Sequence, residues 1–521
     1  MALDQARSPE LLLTVARGAA PLQAQVEEGL RAAIRLGRLA PGERLPSSRA
    51  LAADLGVSRG VTSGAYEQLA AEGWLDVRPR SAPRVAAAPR TSAAAAAPSS
   101  AAFHHAAPPA APSATSSGRA APPAPPPPRA SAAAAPPRVA YDLRPGRPDL
   151  AAFPRRAWSR CHADVLRDAP DAALDYPPPE GATELRRVLA ASRGRVRGVL
   201  CTPDDVLVTA GAGQALMAIV DALVGRTAPR APRVVVEDPG HADVRALLGR
   251  RGIATVPVPV DADGLVTDAL PPRADAVLVT PAHQFPRGVV LAPGRRPALL
   301  AWAERCGAVV IEDDYDSEFR YDRAPVGALQ GLRPDLVLHT GTTSKTLAPA
   351  LRLGWLIAPA PWHADLARAK AALDHGLPAL EQLALARFIA RGDHDRHLRR
   401  MARRYRERRD ALVTALATEL PDATVSGAAA GLHLALTVPA RAAAAPSARA
   451  ASVPSTRAAE TALVAACRER GVLVDHLARH ATAPPAEPTL ILSFARVPPP
   501  AAPHVARLIA AARAAAGRLA A

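Results

Sequence analysis

Two lysines stand out in a sequence that uses arginine at nearly all of its other basic positions. Lys345 and Lys370 are the only lysines among 64 basic residues in a chain of 521. A guanidinium stays protonated and does not readily form a Schiff base, whereas an amine can attack a carbonyl group. Lys345 lies in residues 342–354, TTSKTLAPALRLG. We therefore interpret Lys345 as a candidate for covalent chemistry with a carbonyl compound.

Two further segments could complete a site for an aldehyde that also carries a phosphate and a pyridine nitrogen. Residues 209–214 lie between a predicted strand and a predicted helix, where free backbone N–H groups can hold a phosphate. Asp313 follows the apolar run 309–311, and a carboxylate at a strand end can keep a pyridinium protonated. Taken alone, residues 312–314 are equally consistent with a metal site or a helix cap. The groups suited to the phosphate are Gly211, Ala212, Gly213, Thr342, Ser344 and Arg352.

Short runs of β-branched residues must position these groups. They are continuous and apolar, as expected for strands covered on both faces, and longer segments rich in Ala, Leu and Arg separate them. This alternation predicts a mostly parallel α/β sheet. The runs are residues 206–208, 234–236, 277–279, 309–311 and 336–338.

Residues 342–354 resemble the S-x-S-K-x-x-x-P-G-x-R-x-G signature of the fold-type I aminotransferases. The resemblance implies that the domain binds pyridoxal 5'-phosphate (PLP), with Lys345 as the Schiff-base lysine. It also implies that Asp313 pairs with the pyridine nitrogen and that Tyr315 hydrogen-bonds the ring hydroxyl. In that superfamily, the tyrosine corresponding to Tyr176 reaches the phosphate of the neighbouring subunit, so we expect a homodimer.

The sequence departs from the aminotransferase pattern at two places. His241 stands where relatives usually carry a tyrosine that stacks on the pyridine ring, and an imidazole stacks less extensively. Ile491 stands where aminotransferases present an arginine to the substrate carboxylate, although Arg496 lies nearby and could substitute. We therefore do not expect efficient transamination.

The N-terminal part predicts a helix-turn-helix. Amphipathic patterns over residues 21–36, 48–55 and 59–72 indicate three helices, with Gly56 ending the second and Ser58 capping the third. A short strand should follow at residue 74, with Arg78, Arg80 and Arg84 in a wing. Residues on the expected polar face of the third helix that can reach bases or phosphates are Arg59, Thr62, Ser63 and Tyr66.

Residues 45–52, 56–59 and 66–69 resemble the GntR family of winged-helix repressors. The resemblance covers about residues 22–85 and implies that the head binds a double-stranded DNA operator. It departs in the wing, where residues 80–83 replace a glycine-rich tip. The residues expected to contact DNA are Arg49, Ser58, Arg59, Thr62 and Tyr66.

A GntR-like head, a long linker and an aminotransferase-like domain together resemble the MocR subfamily of regulators, which residues 392–401 also match. The expected fold class is therefore α/β, with a winged helix-turn-helix followed by a fold-type I PLP-dependent domain. That domain should comprise a large, mostly parallel α/β/α part and a smaller α+β part. We predict a DNA-binding domain over residues 1–80, an Ala/Pro-rich basic linker over 81–140 and the effector domain over 141–521. Residues 439–456 read as a surface insertion.

The amino-acid composition narrows the expected partners and the expected cellular compartment. The formal charge of +16 favours polyanionic partners such as nucleic acid. The four cysteines lie far apart without a C-x-x-C pair, which suggests neither a disulfide framework nor a zinc knuckle, and we expect no metal. No apolar run approaches the roughly 20 residues that span a bilayer, and no signal peptide is evident. We expect a cytoplasmic protein without membrane contact.

Three functions remain open from the sequence. The first is a regulator in which an amine or amino-acid effector exchanges with Lys345 to form an external aldimine and repositions the DNA-binding heads. The second is a working aminotransferase with an appended DNA-binding module. The third is a regulator that senses PLP itself.

Overall fold

The computed structural model describes residues 13, 15, 21–35, 38–77, 82–86, 139–321, 326–439 and 456–519. Most of the predicted linker therefore lies outside the described residues. So do Arg78 and Arg80 of the predicted wing and residues 440–455 of the predicted insertion. No helix in the described ranges is long and apolar enough to cross a membrane.

Three helices and a two-stranded ribbon form the head, residues 21–86. The helices are α1 (Leu22–Arg35), α2 (Ser48–Leu55) and α3 (Arg59–Glu72), and the antiparallel strands are β1 (Leu75–Asp76) and β2 (Arg84–Val85). The Ser47 side chain caps α2 by accepting from the Ala50 amide. Gly56 ends α2 with φ +63°, where glycine avoids the steric penalty of a side chain. Ser58 precedes α3, but its side chain makes no capping hydrogen bond.

An eight-stranded sheet forms the centre of the large domain. Its order is β4-β11-β10-β9-β8-β5-β6-β7; neighbours from β10 to β6 run parallel, and β11 and β7 are antiparallel to their neighbours. This confirms the predicted mostly parallel sheet. The strands are β4 (Val206–Thr209), β5 (Arg233–Asp238), β6 (Ala254–Asp261), β7 (Gly264–Leu265), β8 (Ala276–Val279), β9 (Val309–Asp314), β10 (Val337–Thr342) and β11 (Gly354–Ile357); β3 (Tyr141–Asp142) lies outside this sheet.

Helices cover both faces of this sheet because successive strand residues point to opposite sides. Val234 and Val236 belong to one hydrophobic core, whereas Val235 between them belongs to another. The helices of this domain are α4 (Arg155–Asp168), α5 (Thr183–Arg197), α6 (Ala212–Thr227), α7 (Ala242–Arg250), α8 (Arg295–Cys306), α9 (His363–Asp374) and α10 (Ala379–Ala390).

A smaller α+β domain follows, as predicted. Its antiparallel sheet has the order β12-β13-β16-β15, and its buried core also contains Phe319 and Tyr405. A separate parallel pair, β14 with β3, joins this domain to the start of the effector domain. The elements are α11 (Asp393–Glu419), β12 (Thr424–Ser426), β13 (His433–Thr437), α12 (Thr456–Glu469), β14 (Val472–Leu473), β15 (Asp475–His476), α13 (Leu477–His480), β16 (Thr489–Ser493) and α14 (Ala502–Leu519).

The head rests on the large domain through the end of α3. Arg296 of α8, which is fully buried, donates from Nε to the carbonyl of Glu72 at 3.0 Å and from Nη2 to the carbonyl of Gly327. The Glu72 carboxylate pairs with Arg31 of α1 at 2.7 Å. The helix expected to read DNA therefore ends against the domain expected to bind the effector.

Candidate functional site

A cavity of about 800 Å³ opens where the carboxyl ends of the parallel strands meet the smaller domain. Its position is the one that ligands occupy in open α/β sheets. The structure brings together nine of the predicted cofactor residues in its wall, although they come from five separate stretches of sequence. They are Ala212, Gly213, His241, Asp313, Tyr315, Thr342, Ser344, Lys345 and Arg352.

Lys345 follows β10 and reaches into this cavity. Its Nζ donates to the Gly146 carbonyl at 2.9 Å, and burial lowers the pKa of the amine from its ordinary value. Thr343, two residues earlier, donates from Oγ1 to the Leu353 carbonyl at 2.9 Å and so holds the turn in place. The turn therefore presents a lysine that loses its proton to become nucleophilic more readily than an exposed lysine does.

The three acidic residues at the end of β9 point to different places. Glu312 accepts from the amides of Leu329 and Gln330, and Asp314 pairs with the buried Arg197 at 2.9 Å. Asp313, between them, faces the cavity and accepts from Thr340 Oγ1 at 3.3 Å. The alternation of strand side chains thus turns Asp313 toward the cavity and places Glu312 and Asp314 on the opposite side, where their carboxylates lie 3.2 and 3.7 Å from the buried His339 ring.

Asp313 has an environment that suits a cationic partner. Burial and the neighbouring Asp314 raise the pKa of its carboxyl to about 6. A positive charge placed next to this carboxylate would favour its ionised form. Tyr315, two residues later, lines the same wall, and burial holds the pKa of its phenol well above the ordinary value, so its hydroxyl remains protonated.

The N-terminus of α6 and Arg352 form an anion-binding corner. Gly211 precedes α6 with φ +85°, and a side chain there would sit about 3.4 Å from the Arg352 guanidinium. Arg352 donates to the Ala210 carbonyl, and Thr342 donates from Oγ1 to Ser344 Oγ at 2.9 Å. Helix N–H groups, a guanidinium and two hydroxyls are together suited to a phosphate.

His241 belongs to an aromatic wall of the cavity. Its ring lies 4.9 Å from the Phe285 ring, centroid to centroid, with an angle of 30° between the planes. Burial and the nearby His480 lower the pKa of His241 to about 4, so the imidazole is neutral near pH 7. A neutral ring offers a flat surface on which another ring can stack.

Ile491 and Arg496, the two positions considered for binding a substrate carboxylate, lie in different places. Ile491 is fully buried in β16, where it packs with Ala435 and Leu477, and it does not line the cavity. Arg496 does line the cavity, and its Nη1 lies 3.6 Å from Asp142 Oδ2. An arginine is therefore present at the cavity, but it enters from the loop after β16.

Tyr176 is 91% exposed and does not line the cavity within this chain. Such exposure of an aromatic side chain is compatible with a contact from a second subunit.

Sequence reasoning missed several residues of the cavity wall. Asp316 and His433 line it, and His283 lies directly behind Tyr315. Phe285 is also part of the wall. His283 and Phe285 lie in residues 281–288, and nothing in the sequence of this segment indicates the chemistry of either residue.

The head exposes only some of the residues expected to contact DNA. Arg49, Ser58 and Arg59 are exposed. The expectation that Thr62 and Tyr66 lie on the polar outer face is wrong, because both side chains are buried. Thr62 donates from Oγ1 to the Ser48 carbonyl at 2.7 Å, and Tyr66 donates from its hydroxyl to the Pro46 carbonyl at 2.9 Å. Both hold α3 against the segment that contains α2.

Comparison with known protein families agrees with this division. Residues 153–507 match the family "Aminotransferase class I and II", and residues 22–85 match "Bacterial regulatory proteins, gntR family".

Two relatives match most of the chain over most of their own length. The chain is 35% identical over 412 residues to the HTH-type pyridoxine biosynthesis transcriptional regulator PdxR of Corynebacterium glutamicum, which covers 79% of this chain and 82% of the relative. It is 33% identical to the probable rhizopine catabolism regulatory protein MocR of Rhizobium meliloti, over 80% of this chain and 81% of the relative.

A solved structure agrees with the fold. The α-aminoadipate aminotransferase LysN of Thermus thermophilus, complexed with N-(5'-phosphopyridoxyl)-L-leucine, is 25% identical with a TM-score of 0.63. The match covers 73% of this chain and 93% of that protein.

Proposed function

The chain belongs to the MocR subfamily of GntR-type transcriptional regulators, which join a helix-turn-helix to an aminotransferase-like domain, and we propose that it controls transcription in response to a ligand bound in the cavity. The observation that carries the proposal is the meeting of Lys345, Asp313 and Arg352 in one cavity, in a chain whose head exposes Arg49 and Arg59. We place its action in the cytoplasm, where its DNA target lies.

The residues of the cavity fit PLP. The α6 N-terminus with Arg352, Thr342 and Ser344 would hold the phosphate, and Asp313 would pair with the pyridine nitrogen. Tyr315 would face the ring hydroxyl, and His241 would cover a face of the ring. When bound, PLP supplies an electrophilic aldehyde carbon and an electron-withdrawing ring.

The chain's own groups determine what this cavity can do with an amine. Lys345 offers a nucleophile whose neutral form is favoured by burial. Asp313 would hold a proton on the pyridine nitrogen, because a carboxylate in a buried site interacts strongly with a nearby cation. We propose that an amine or amino acid competes with Lys345 for the aldehyde carbon and is the effector. The name of the C. glutamicum relative supports PLP itself as a second possible signal.

The exposed residues of the head would bind a double-stranded DNA operator. Ser58 and Arg59 lie at the start of α3, where residues of a recognition helix contact base edges and phosphates, and the exposed Arg49 lies in the first turn of α2. A homodimer would place two such heads on two half-sites, and the exposed Tyr176 would then reach the partner's cavity. We propose the division predicted from the sequence, with a DNA-binding domain (1–80), a linker (81–140) and an effector domain (141–521), except that Arg84 and Val85 of the predicted linker pair with β1 in the ribbon of the head.

Contacts between the domains could couple ligand to DNA. Arg197 joins the carboxylate of Asp314 to the carbonyl of Val326. Gly327, the next residue, accepts from Arg296, and a side chain at this position would meet the Glu72 carboxylate at 3.0 Å. If the ligand binds more tightly to one of two arrangements of this contact between head and large domain, its binding would shift the head toward that arrangement.

The test uses the full chain. Duplex DNA is selected from a random pool by the protein, and the affinity for the selected site is measured at fixed salt without ligand, with PLP, and with PLP plus single amines. We expect specific binding that changes several-fold with PLP or with an amine, and that this response disappears in Lys345→Ala. Specific binding that no ligand alters would refute ligand control.

A working aminotransferase is the second candidate, and the position of Arg496 at the cavity favours it. Ile491 is buried elsewhere, so a substrate carboxylate would depend on an arginine that already pairs with Asp142. Because misplacement by about 1 Å can cost 10²-fold in rate, we expect slow turnover. Steady-state transamination with 2-oxoglutarate near the typical median of about 10 s⁻¹ would support the enzyme instead.

A further inference from the structure

A buried group of side chains lies behind Tyr315, and nothing above gives it a role. His283 and Asp316 are 2% and 1% exposed, and His433 packs beside them with its ring centroid 4.7 Å from that of His283. The His283 Nδ1 atom lies 3.1 and 3.0 Å from the two carboxylate oxygens of Asp316 and 3.0 Å from the hydroxyl oxygen of Tyr315. One ring nitrogen thus faces three oxygens.

The position of the proton on this nitrogen follows from its partners. An ionised carboxylate can only accept, so Nδ1 must donate to Asp316. The Tyr315 oxygen then faces an N–H group, and the phenolic proton has no acceptor on His283. That proton must point elsewhere, and the open direction is the cavity that Tyr315 lines.

The backbone at Gly431 packs tightly against His283 and Asp316. A side chain at Gly431 would place its first carbon 2.0 Å from His283 Cε1 and 2.6 Å from Asp316 Oδ2, so only glycine allows the close pair. His433 Nε2 lies 3.2 Å from the Pro286 carbonyl, which fixes that ring as a donor there. The His283 Nε2 atom has no hydrogen-bond partner among the described residues, so the ring is anchored through Nδ1 alone.

We propose that Asp316 and His283 are positioning residues that force the Tyr315 hydroxyl to donate into the cavity. Asp316 fixes the tautomer of His283, and His283 in turn denies Tyr315 an acceptor inside the protein. In the holoprotein, Tyr315 then donates to the ring hydroxyl oxygen of PLP without first breaking an internal hydrogen bond. This inference rests on the proposed function in that the ligand is PLP.

Binding measurements on the full chain test the proposal. We expect Tyr315→Phe to weaken PLP binding about tenfold, as for loss of one favourable hydrogen bond to a polar ligand group, and to shift the absorption maximum of the bound cofactor. His283→Leu removes the N–H group that the Asp316 carboxylate accepts from, so this carboxylate becomes an internal acceptor for Tyr315, and the absorption maximum should shift in the same direction. The double variant should lose no more affinity than Tyr315→Phe alone, because both changes remove the same donated bond.

Two more variants separate positioning from mere packing. His283→Asn keeps an N–H group near the position of Nδ1 and should restore most of the affinity and the spectrum. Asp316→Asn allows Nδ1 to become an acceptor, so Tyr315 should turn inward and the spectrum should resemble that of Tyr315→Phe. Additive losses in the double variant, or a His283→Leu spectrum identical to wild type, would overturn the proposal.

A measurement on the protein without cofactor separates failure of this inference from failure of the proposed function. If wild-type protein binds no PLP, the proposed function fails, and the tautomer can still be read in the apoprotein labelled with ¹⁵N in its histidine rings. His283, identified by the signal missing from His283→Leu, should be protonated at Nδ1 in wild type. A proton only at Nε2 would refute the inference.

The same apoprotein is titrated with Zn²⁺, because nitrogen and oxygen atoms of His283, Asp316 and His433 lie within 4.8 Å of one another. We expect the spectrum of His283 to remain unchanged. Stoichiometric zinc binding that His433→Leu abolishes would instead make this cluster a metal centre and overturn the positioning role.

Discussion

In the cavity, Lys345, Asp313 and Tyr315 are enclosed, and each has a neighbour that fixes its proton or its orientation. In the head, Arg49 and Arg59 are exposed, whereas the hydroxyls of Thr62 and Tyr66 in α3 donate to backbone carbonyls within the head. The cavity therefore combines function and burial in the same residues. In the head the two are divided, since the cations expected to bind DNA are exposed and the buried hydroxyls hold the fold together.

This difference affects what a substitution can reveal. Removing a cavity residue should change ligand chemistry and local electrostatics together, since a buried group interacts through a low dielectric. In the head, loss of an exposed arginine should affect DNA alone, and loss of a buried hydroxyl should affect stability alone. Four predictions test this contrast, two in each region.

The largest effect is expected at Lys345. Purified protein should be yellow from the PLP–lysine linkage, and Lys345→Ala should remove that absorbance completely, because Lys370 is the only other lysine. Lys370 is fully buried and pairs with Asp374 at 2.9 Å, away from the cavity wall. Lys370→Arg keeps this charge and serves as the matched control, which should stay yellow. An unchanged Lys345→Ala spectrum in a folded protein would reject the assignment.

The second prediction concerns Glu237, which is buried behind the cavity and accepts from the Thr280 hydroxyl at 2.6 Å. Burial raises its pKa from 4.5 to about 7. The folded state therefore holds a proton that the unfolded state releases, and stability falls as pH rises from about 4.5 to 7. The glutamine in Glu237→Gln does not titrate. As pH rises from about 4.5 to 7, the free energy of unfolding of the variant should therefore increase relative to that of wild type by up to about 3 kcal/mol.

Denaturant unfolding of the apoprotein at pH 5 and pH 8 measures this change. Asp268→Asn, a carboxylate in a turn at the surface, provides a control in which the difference from wild type should stay constant. If the free energies of unfolding of Glu237→Gln and wild type differ by the same amount at both pH values, the prediction is wrong. Burial would then not determine the charge of Glu237.

The sequence was sufficient to predict the parallel sheet and those site residues that lie in contiguous motifs. The parallel strands were readable because a strand covered on both faces must be apolar throughout, as in residues 309–311. Lys345 was readable because its chemistry excludes arginine. The partnership of His283 with Asp316 was not, since 33 residues separate them and only the folded sheet brings them together. Thr62 was misplaced because a hydroxyl gives no sign of whether its acceptor is a base or a carbonyl.

In the head, Arg59→Ala should weaken operator binding by about tenfold to a hundredfold, the range expected for one specific contact. The salt dependence of the affinity should flatten by about one unit if the contact is to a phosphate. Arg368→Ala, which removes an equally exposed charge from the effector domain, is the matched control and should bind as wild type. The cofactor spectrum should not change in either variant. Equal affinity of Arg59→Ala and wild type would mean that the exposed face has been assigned wrongly.

The smallest effect on DNA should come from Thr62→Val, and it separates the two views of this residue. Thr62 is fully buried, and its hydroxyl donates to the carbonyls of Ser48 and Arg59 at 2.7 and 3.1 Å. Valine has nearly the same shape, so the change removes the donor and leaves the Ser48 carbonyl without it, at a cost of about 1–2 kcal/mol. The head should therefore melt at a lower temperature, while operator affinity measured well below the melting temperature stays within about twofold of wild type, since no contact to DNA is lost.

Ser63→Ala, on the next and partly exposed position of α3, is the comparison variant. A large loss of affinity in Thr62→Val without loss of stability would return this residue to the DNA interface and break the division between exposed and buried groups in the head.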